Sequence, residues 1–205
     1  MTSIAGEMRF DTADVDLMET SGNFDTVVLH EMGHVIGMGT LWGNCSACDF
    51  ENNIFDPEWK CPATVAAYND LNGNPGGTDA DIIELDGGDG TACGHFSELI
   101  FGDELSSGAI DTDIQDVYSP LSKITAASLD DTGYVVNATA VNPYILPSRR
   151  EGADADPVEV TTGSESRYVM RSVAVKSSVE LVDRNGNTVG EADGVMISLY
   201  GGYED

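Results

Sequence analysis

Apolar and polar positions alternate weakly over residues 4–10, a period-2 pattern that predicts a strand. Residues 11–22 turn polar and read as a connection. Thr26-Val27-Val28-Leu29 then opens an apolar run that predicts a buried helix over about residues 24–37, capped by Asn23 or Asp25 and stopped by Gly37 and Gly39. Residues 40–94 are rich in Gly, Asp and Asn and read as a long loop with one short helix near 63–68. A loop of that length is usually functional or tied down. Ser122 precedes a second helix over about 122–132, with Ile124, Ala127 and Leu129 available for packing and Gly133 placed to end it. Residues 141–157 read as a linker. Segments 167–175, 179–183 and 195–200 alternate apolar and polar residues, and Asn185-Gly186 between two of them signals a hairpin. The pattern is α+β: a first domain over 1–140, then the linker, then a β-rich module over 158–205.

Hydrophobic content of 41% over 205 residues is enough for a real core. Charge changes the picture more. Thirty-six acids against nine bases give a net charge of -27, a field that repels nucleic acid and anionic membranes. Two uses of that acidity are open: solubility in a salty or extracellular setting, and calcium binding by some of the carboxylates. No run approaches the roughly 18 apolar residues of a membrane helix. Met1-Thr2-Ser3 opens no signal peptide.

Four cysteines, Cys45, Cys48, Cys61 and Cys93, fall in the first half. They allow two disulfides or a structural zinc site, and the second CxxC of a zinc ribbon is absent. Disulfides are the favoured reading and point to an oxidising compartment, secreted or at the cell surface. All three pairings remain open.

The chemistry concentrates in His30-Glu31-Met32-Gly33-His34, an H-E-x-x-H pattern on the predicted helix. At i and i+4 two imidazoles share one face and can bind one metal ion, while Glu31 can reach a metal-bound water without ligating. The chain has only three histidines, so His95 is the first place to look for another ligand. Glu98 and Glu104 flank it in sequence. Solvated acids are the plainer reading of both, and orienting a ligand imidazole is the sharper one.

Residues 30–39 followed by Thr40-Leu41-Trp42, then Gly94-His95-Phe96, Glu104-Leu105 and Leu121-Ser122-Lys123-Ile124-Thr125-Ala126-Ala127-Ser128-Leu129-Asp130-Asp131-Thr132-Gly133-Tyr134, resemble the leishmanolysin family of metzincin zinc peptidases over about residues 4–136. The resemblance implies a metzincin-type zincin catalytic domain, with His30, His34 and His95 as ligands of one catalytic zinc and Glu31 as general base. It implies protein or peptide substrates, laid in extended form along the strand near residues 6–10. Such a sheet has several strands before its zinc helix, and only one candidate precedes His30, so the resemblance also implies an N-terminally truncated domain. Where the family carries a methionine in an ELMTG-like turn, this chain reads Glu104-Leu105-Ser106-Ser107-Gly108.

Two other classes stand beside the peptidase. One is a zinc-binding but inactive relative serving as an adhesion or binding module, motivated by Ser106. The other is a calcium-stabilised surface domain with incidental histidines. Residues 70–81 carry oxygen ligands spaced like an EF-hand loop, but Pro75 occupies the glycine position and Asp81 the final glutamate, so a flexible acidic loop is the better reading. Asn137-Ala138-Thr139 matches a glycosylation acceptor. Asn44-Cys45-Ser46 matches formally, and a bonded Cys45 would make it a poor site.

Overall fold

The computed structural model describes residues 6–88, 90–110, 119–147, 167–182 and 188–204. Strand β1 (Gly6–Arg9) is followed by helix α1 (Thr12–Ser21) and helix α2 (Phe24–Ile36). Residues 12–21 are therefore helical where the polar pattern predicted a connection. The helix packs on α2 through Met18, which joins Val27, Phe24, Val15 and Phe10 in a small apolar cluster. One buried apolar position in three turns leaves almost no periodic signal in the sequence.

Helix α2 has the expected span. Asn23 occupies its N-cap position but its side chain makes no capping bond, and Asp25 lies in the first turn, where the helix dipole favours an acid. Gly37 closes the helix at φ +115°, with the N–H groups of Gly37 and Met38 donating to the carbonyls of His34 and Gly33.

The cysteine-bearing segment is tied down rather than loose. Disulfides join Cys45 to Cys61 and Cys48 to Cys93. A 3-10 turn (Gly43–Cys45) and helix α3 (Pro62–Leu71) lie within it. Proline at the start of α3 suits a helix entrance, since its missing N–H would be unsatisfied there anyway. The next N–H groups, of Ala63 and Thr64, donate to the carboxylate of Asp131, which also accepts from Trp59 Nε1. Asp131 belongs to helix α5 (Lys123–Thr132), so one acid caps α3 and fastens it to α5. Ser122 caps α5 as predicted, its side chain accepting from the Ile124 N–H.

Trp42, Trp59, Phe96, Phe101, Ile82, Ile83, Ile124 and Leu146 form the main core. Each such side chain contributes about 1.5–3 kcal/mol on burial. Leu146 comes from the stretch read as linker. Asn142 exchanges hydrogen bonds with Leu121, and the Tyr144 hydroxyl donates to the Phe101 carbonyl. Residues 141–147 thus pack on the core, and 148–157 lie outside the described residues.

Helix α4 (Glu98–Phe101) and strand β2 (Ala109–Ile110) follow His95, and strands β3 (Arg167–Val182) and β4 (Thr188–Glu204) complete the fold. The sheet order is β1-β4-β3-β2, with β1 parallel to β4 and the other pairs antiparallel. Two long strands replace the three short segments predicted, because Lys176-Ser177-Ser178 contains nothing that forces a break. The Asn185-Gly186 turn lies outside the described residues. Helix α2 approaches β1 closely: a Cβ on Gly6 would stand 2.5 Å from Val35 Cγ1.

Candidate metal centre

Helix α2 places His30 and His34 one turn apart, and the segment leaving the cysteine-bearing insertion brings His95 to them across 61 residues. The three Nε2 atoms lie 2.9 Å (His30–His34), 3.0 Å (His34–His95) and 3.1 Å (His30–His95) apart. All three rings are buried, as is Glu31, which lies at 0% exposure beside them.

What holds each ring is a backbone carbonyl. His30 Nδ1 is 2.5 Å from the Leu105 oxygen, His34 Nδ1 2.9 Å from that of Met38, and His95 Nδ1 3.0 Å from that of Thr91. A carbonyl can only accept, so each Nδ1 carries the hydrogen and each Nε2 presents a lone pair. Three lone pairs therefore converge with no hydrogen between them. The arrangement is repulsive unless a cation sits among them.

The donor set fits a metal ion. Three nitrogens about 3.0 Å apart share a point about 2.05 Å from each, roughly 1.1 Å off their plane, which matches an imidazole–zinc distance of about 2.0–2.1 Å. Among the described residues these histidines form the one group of three or more side chains that converge as metal ligands. The acids of residues 70–81 form no such group. Asp70 pairs with Lys123, a hydrogen bond that holds its carboxyl below the usual range, and Asn69 fastens the loop by donating to the carbonyls of Val65 and Asp79.

Electrostatics keeps the rings neutral. Burial, then the neighbouring His34 and His95, push His30 well below 6.5; burial, then His95, bring His34 to about 3; burial brings His95 to about 4. Glu31 moves the other way, pushed up to about 8 by burial, and its two oxygens have no hydrogen-bond partner. Its Oε1 stands 4.0 Å from His30 Nε2, and with a neutral imidazole that contact is not an ion pair.

Neither Glu98 nor Glu104 holds an imidazole, since carbonyls take that place. Glu104 is nonetheless no solvated acid. It is buried and accepts from the N–H of Ser106 (2.6 Å), the N–H of Ser122 (3.0 Å) and the hydroxyl of Thr125 (2.6 Å). Burial pushes its carboxyl up, against hydrogen bonds that pull it down. Glu98 opens α4, its N–H donating to Glu84.

No family model matches this chain, and comparison with curated proteins and with solved structures likewise found no match.

The Leu105, Met38 and Thr91 carbonyls escape sequence reasoning, because a main-chain acceptor leaves no residue-type signal. Met38 also contributes its side chain. A Cβ on Gly33 would stand 2.3 Å from Met38 Cε, and Met38 Sδ lies 3.6 Å from Ser106 Oγ. Met38 thus fills the space between the ligand helix and the turn at Ser106, whose hydroxyl pairs with Thr125. Gly108 lies against the His95 ring, where a Cβ would come within 3.4 Å of Cγ and 2.8 Å of Thr91 Cγ2.

Proposed function

We propose that this protein is a zinc-dependent metalloendopeptidase of leishmanolysin-like, metzincin type, acting on protein or peptide substrates outside the cell. One observation carries the reading: three Nε2 lone pairs, two of them from an H-E-x-x-H helix, converge beside the unpartnered buried carboxyl group of Glu31. His30, His34 and His95 would hold the zinc. Bound there, zinc supplies a Lewis acid that lowers the pKa of a water to about 7 and polarises a carbonyl.

The chain's own residues do the rest. The Leu105, Met38 and Thr91 carbonyls fix the tautomer of each ligand. Glu31, buried beside the three rings with neither oxygen engaged by another side chain, takes the proton from the attacking water and delivers it to the leaving amine. Strand β1 ends the sheet order, pairing with β4 on one side, and residues 6, 7 and 9 are exposed. An extended peptide adding to its outer edge would gain backbone hydrogen bonds with little sequence selectivity. The two disulfides and the lack, among the described residues, of a helix able to cross a membrane are compatible with an extracellular setting.

Hydrolysis of an unstructured protein in the presence of zinc tests this reading. Glu31→Ala should lower the rate by about 10²–10⁴ with zinc retained. Wild-type protein loaded with zinc that cleaves nothing contradicts it.

A second reading, a zinc-binding module without turnover, is favoured by a specific observation. His30, Glu31, His34 and His95 are all 0–2% exposed, and a substrate carbonyl must reach the metal. In that case Glu31→Ala changes no activity, because there is none to change.

A further inference from the structure

The turn at residues 104–107 touches both halves of the metal centre. Its Leu105 carbonyl accepts from His30 Nδ1, and its Ser106 carbonyl accepts from the Phe96 N–H, the residue after His95. One short stretch of main chain therefore aligns a ligand from helix α2 and a ligand from the insertion. Something must hold that stretch. Leu105 N–H donates to Pro120, and Ser106 N–H donates to Glu104 Oε2. The other oxygen, Glu104 Oε1, accepts from the Ser122 N–H and the Thr125 hydroxyl at the start of α5.

We infer that Glu104 is a positioning residue of the metal centre: its buried carboxylate anchors the Leu105–Ser106 turn to helix α5 and so aims His30 and, through Phe96, His95. The inference rests on the metal-binding reading above. Every group that meets the carboxylate in this network is a donor. A carboxylate satisfies all three, whereas an amide turns an N–H2 toward one of them. Losing one bond lets the turn shift, and a shift of the Leu105 carbonyl turns the His30 ring about its own axis. Groups that orient a metal-binding histidine typically govern affinity by 10–100-fold.

The test compares Glu104→Gln, Thr125→Val and Asp131→Asn with the wild-type chain. Asp131→Asn is the structural control, since Asp131 fastens α5 to α3 through Trp59, Ala63 and Thr64 and touches no ligand-bearing turn. Zinc affinity is measured by competition with a chromophoric chelator, and site geometry by the visible spectrum of the cobalt-substituted protein. The expected result is zinc binding weakened about 10–100-fold in Glu104→Gln with an altered cobalt spectrum, a smaller change of the same kind in Thr125→Val, and wild-type affinity in Asp131→Asn. Wild-type affinity and spectrum in both Glu104→Gln and Thr125→Val overturn the inference. So does an equal loss in Asp131→Asn.

Should Glu104→Gln not fold, Thr125→Val decides on the same two outcomes. Should the wild-type chain bind no zinc, the metal reading fails separately. The imidazole Nδ1–H resonances of the metal-free protein then decide: loss of the His30 signal in Thr125→Val supports the positioning role, and an unchanged signal overturns it.

Discussion

Gly39 and Gly94 meet backbone to backbone: a Cβ on Gly39 would stand 2.1 Å from the Gly94 carbonyl oxygen, and Gly39 itself sits at φ +67°. The contact joins the exit of the ligand helix to the residue before His95. Gly39→Ala should cost about 2 kcal/mol or more of stability, from the left-handed backbone and the clash together. Zinc affinity should fall about tenfold or more as His95 is displaced. Urea unfolding and chelator competition measure the two effects, and wild-type affinity in Gly39→Ala would show that the close approach does not place the ligand.

The protonation states set opposing pH limits on the metal-free protein. His34 and His95, held at about 3 and about 4, are neutral in the fold, so the stability tied to them is present above 6.5 and lost as pH falls toward those values. Glu31, raised from 4.5 to about 8, contributes stability below 4.5 that is lost as pH rises toward 8. Glu31→Gln should therefore gain on the wild type as pH rises from near 5 to near 8, toward an upper bound of about 5 kcal/mol. Urea unfolding of chelator-treated protein at both values checks it, and a pH-independent gain would refute the assignment.

The disulfides should differ in what they do for the metal. Cys48–Cys93 closes 45 residues and ends two positions before His95, while Cys45–Cys61 closes 16 and ends much farther from His95 in sequence. Chain entropy assigns them about 4 and about 3 kcal/mol of stability. Replacing Cys48 and Cys93 by serine should also weaken zinc binding, and replacing Cys45 and Cys61 should leave it nearly unchanged. Equal affinities in the two double variants would remove the distinction.

The charge of -27 predicts a salt dependence of ordinary stability. Screening relieves self-repulsion, so the melting temperature should rise between about 0.05 and 1 M sodium chloride. A flat profile would mean that the acids are too well separated to repel.

Much of the centre was legible because its constraints are local or arithmetic. The i, i+4 spacing of His30 and His34 follows from helix geometry, and His95 stood out because no fourth histidine competes with it. Gly37 and Ser122 announced their helix ends, and both do the expected work. Other features had no local signature. The acceptors behind the imidazoles are main-chain carbonyls, and the pairing of four cysteines depends on long-range geometry. Glu104 drew notice only for its place near His95, and nothing local marks the three donors that burial places around it. Leu146 read as linker because one leucine among prolines and polar residues shows no period, yet it lies in the core.

The most direct measurement is the metal content of the purified chain and two variants. The account predicts about one zinc per wild-type chain, lost in His95→Ala and retained in Glu31→Ala. A His95→Ala protein that keeps its zinc, or a wild-type chain that takes up none, would contradict it.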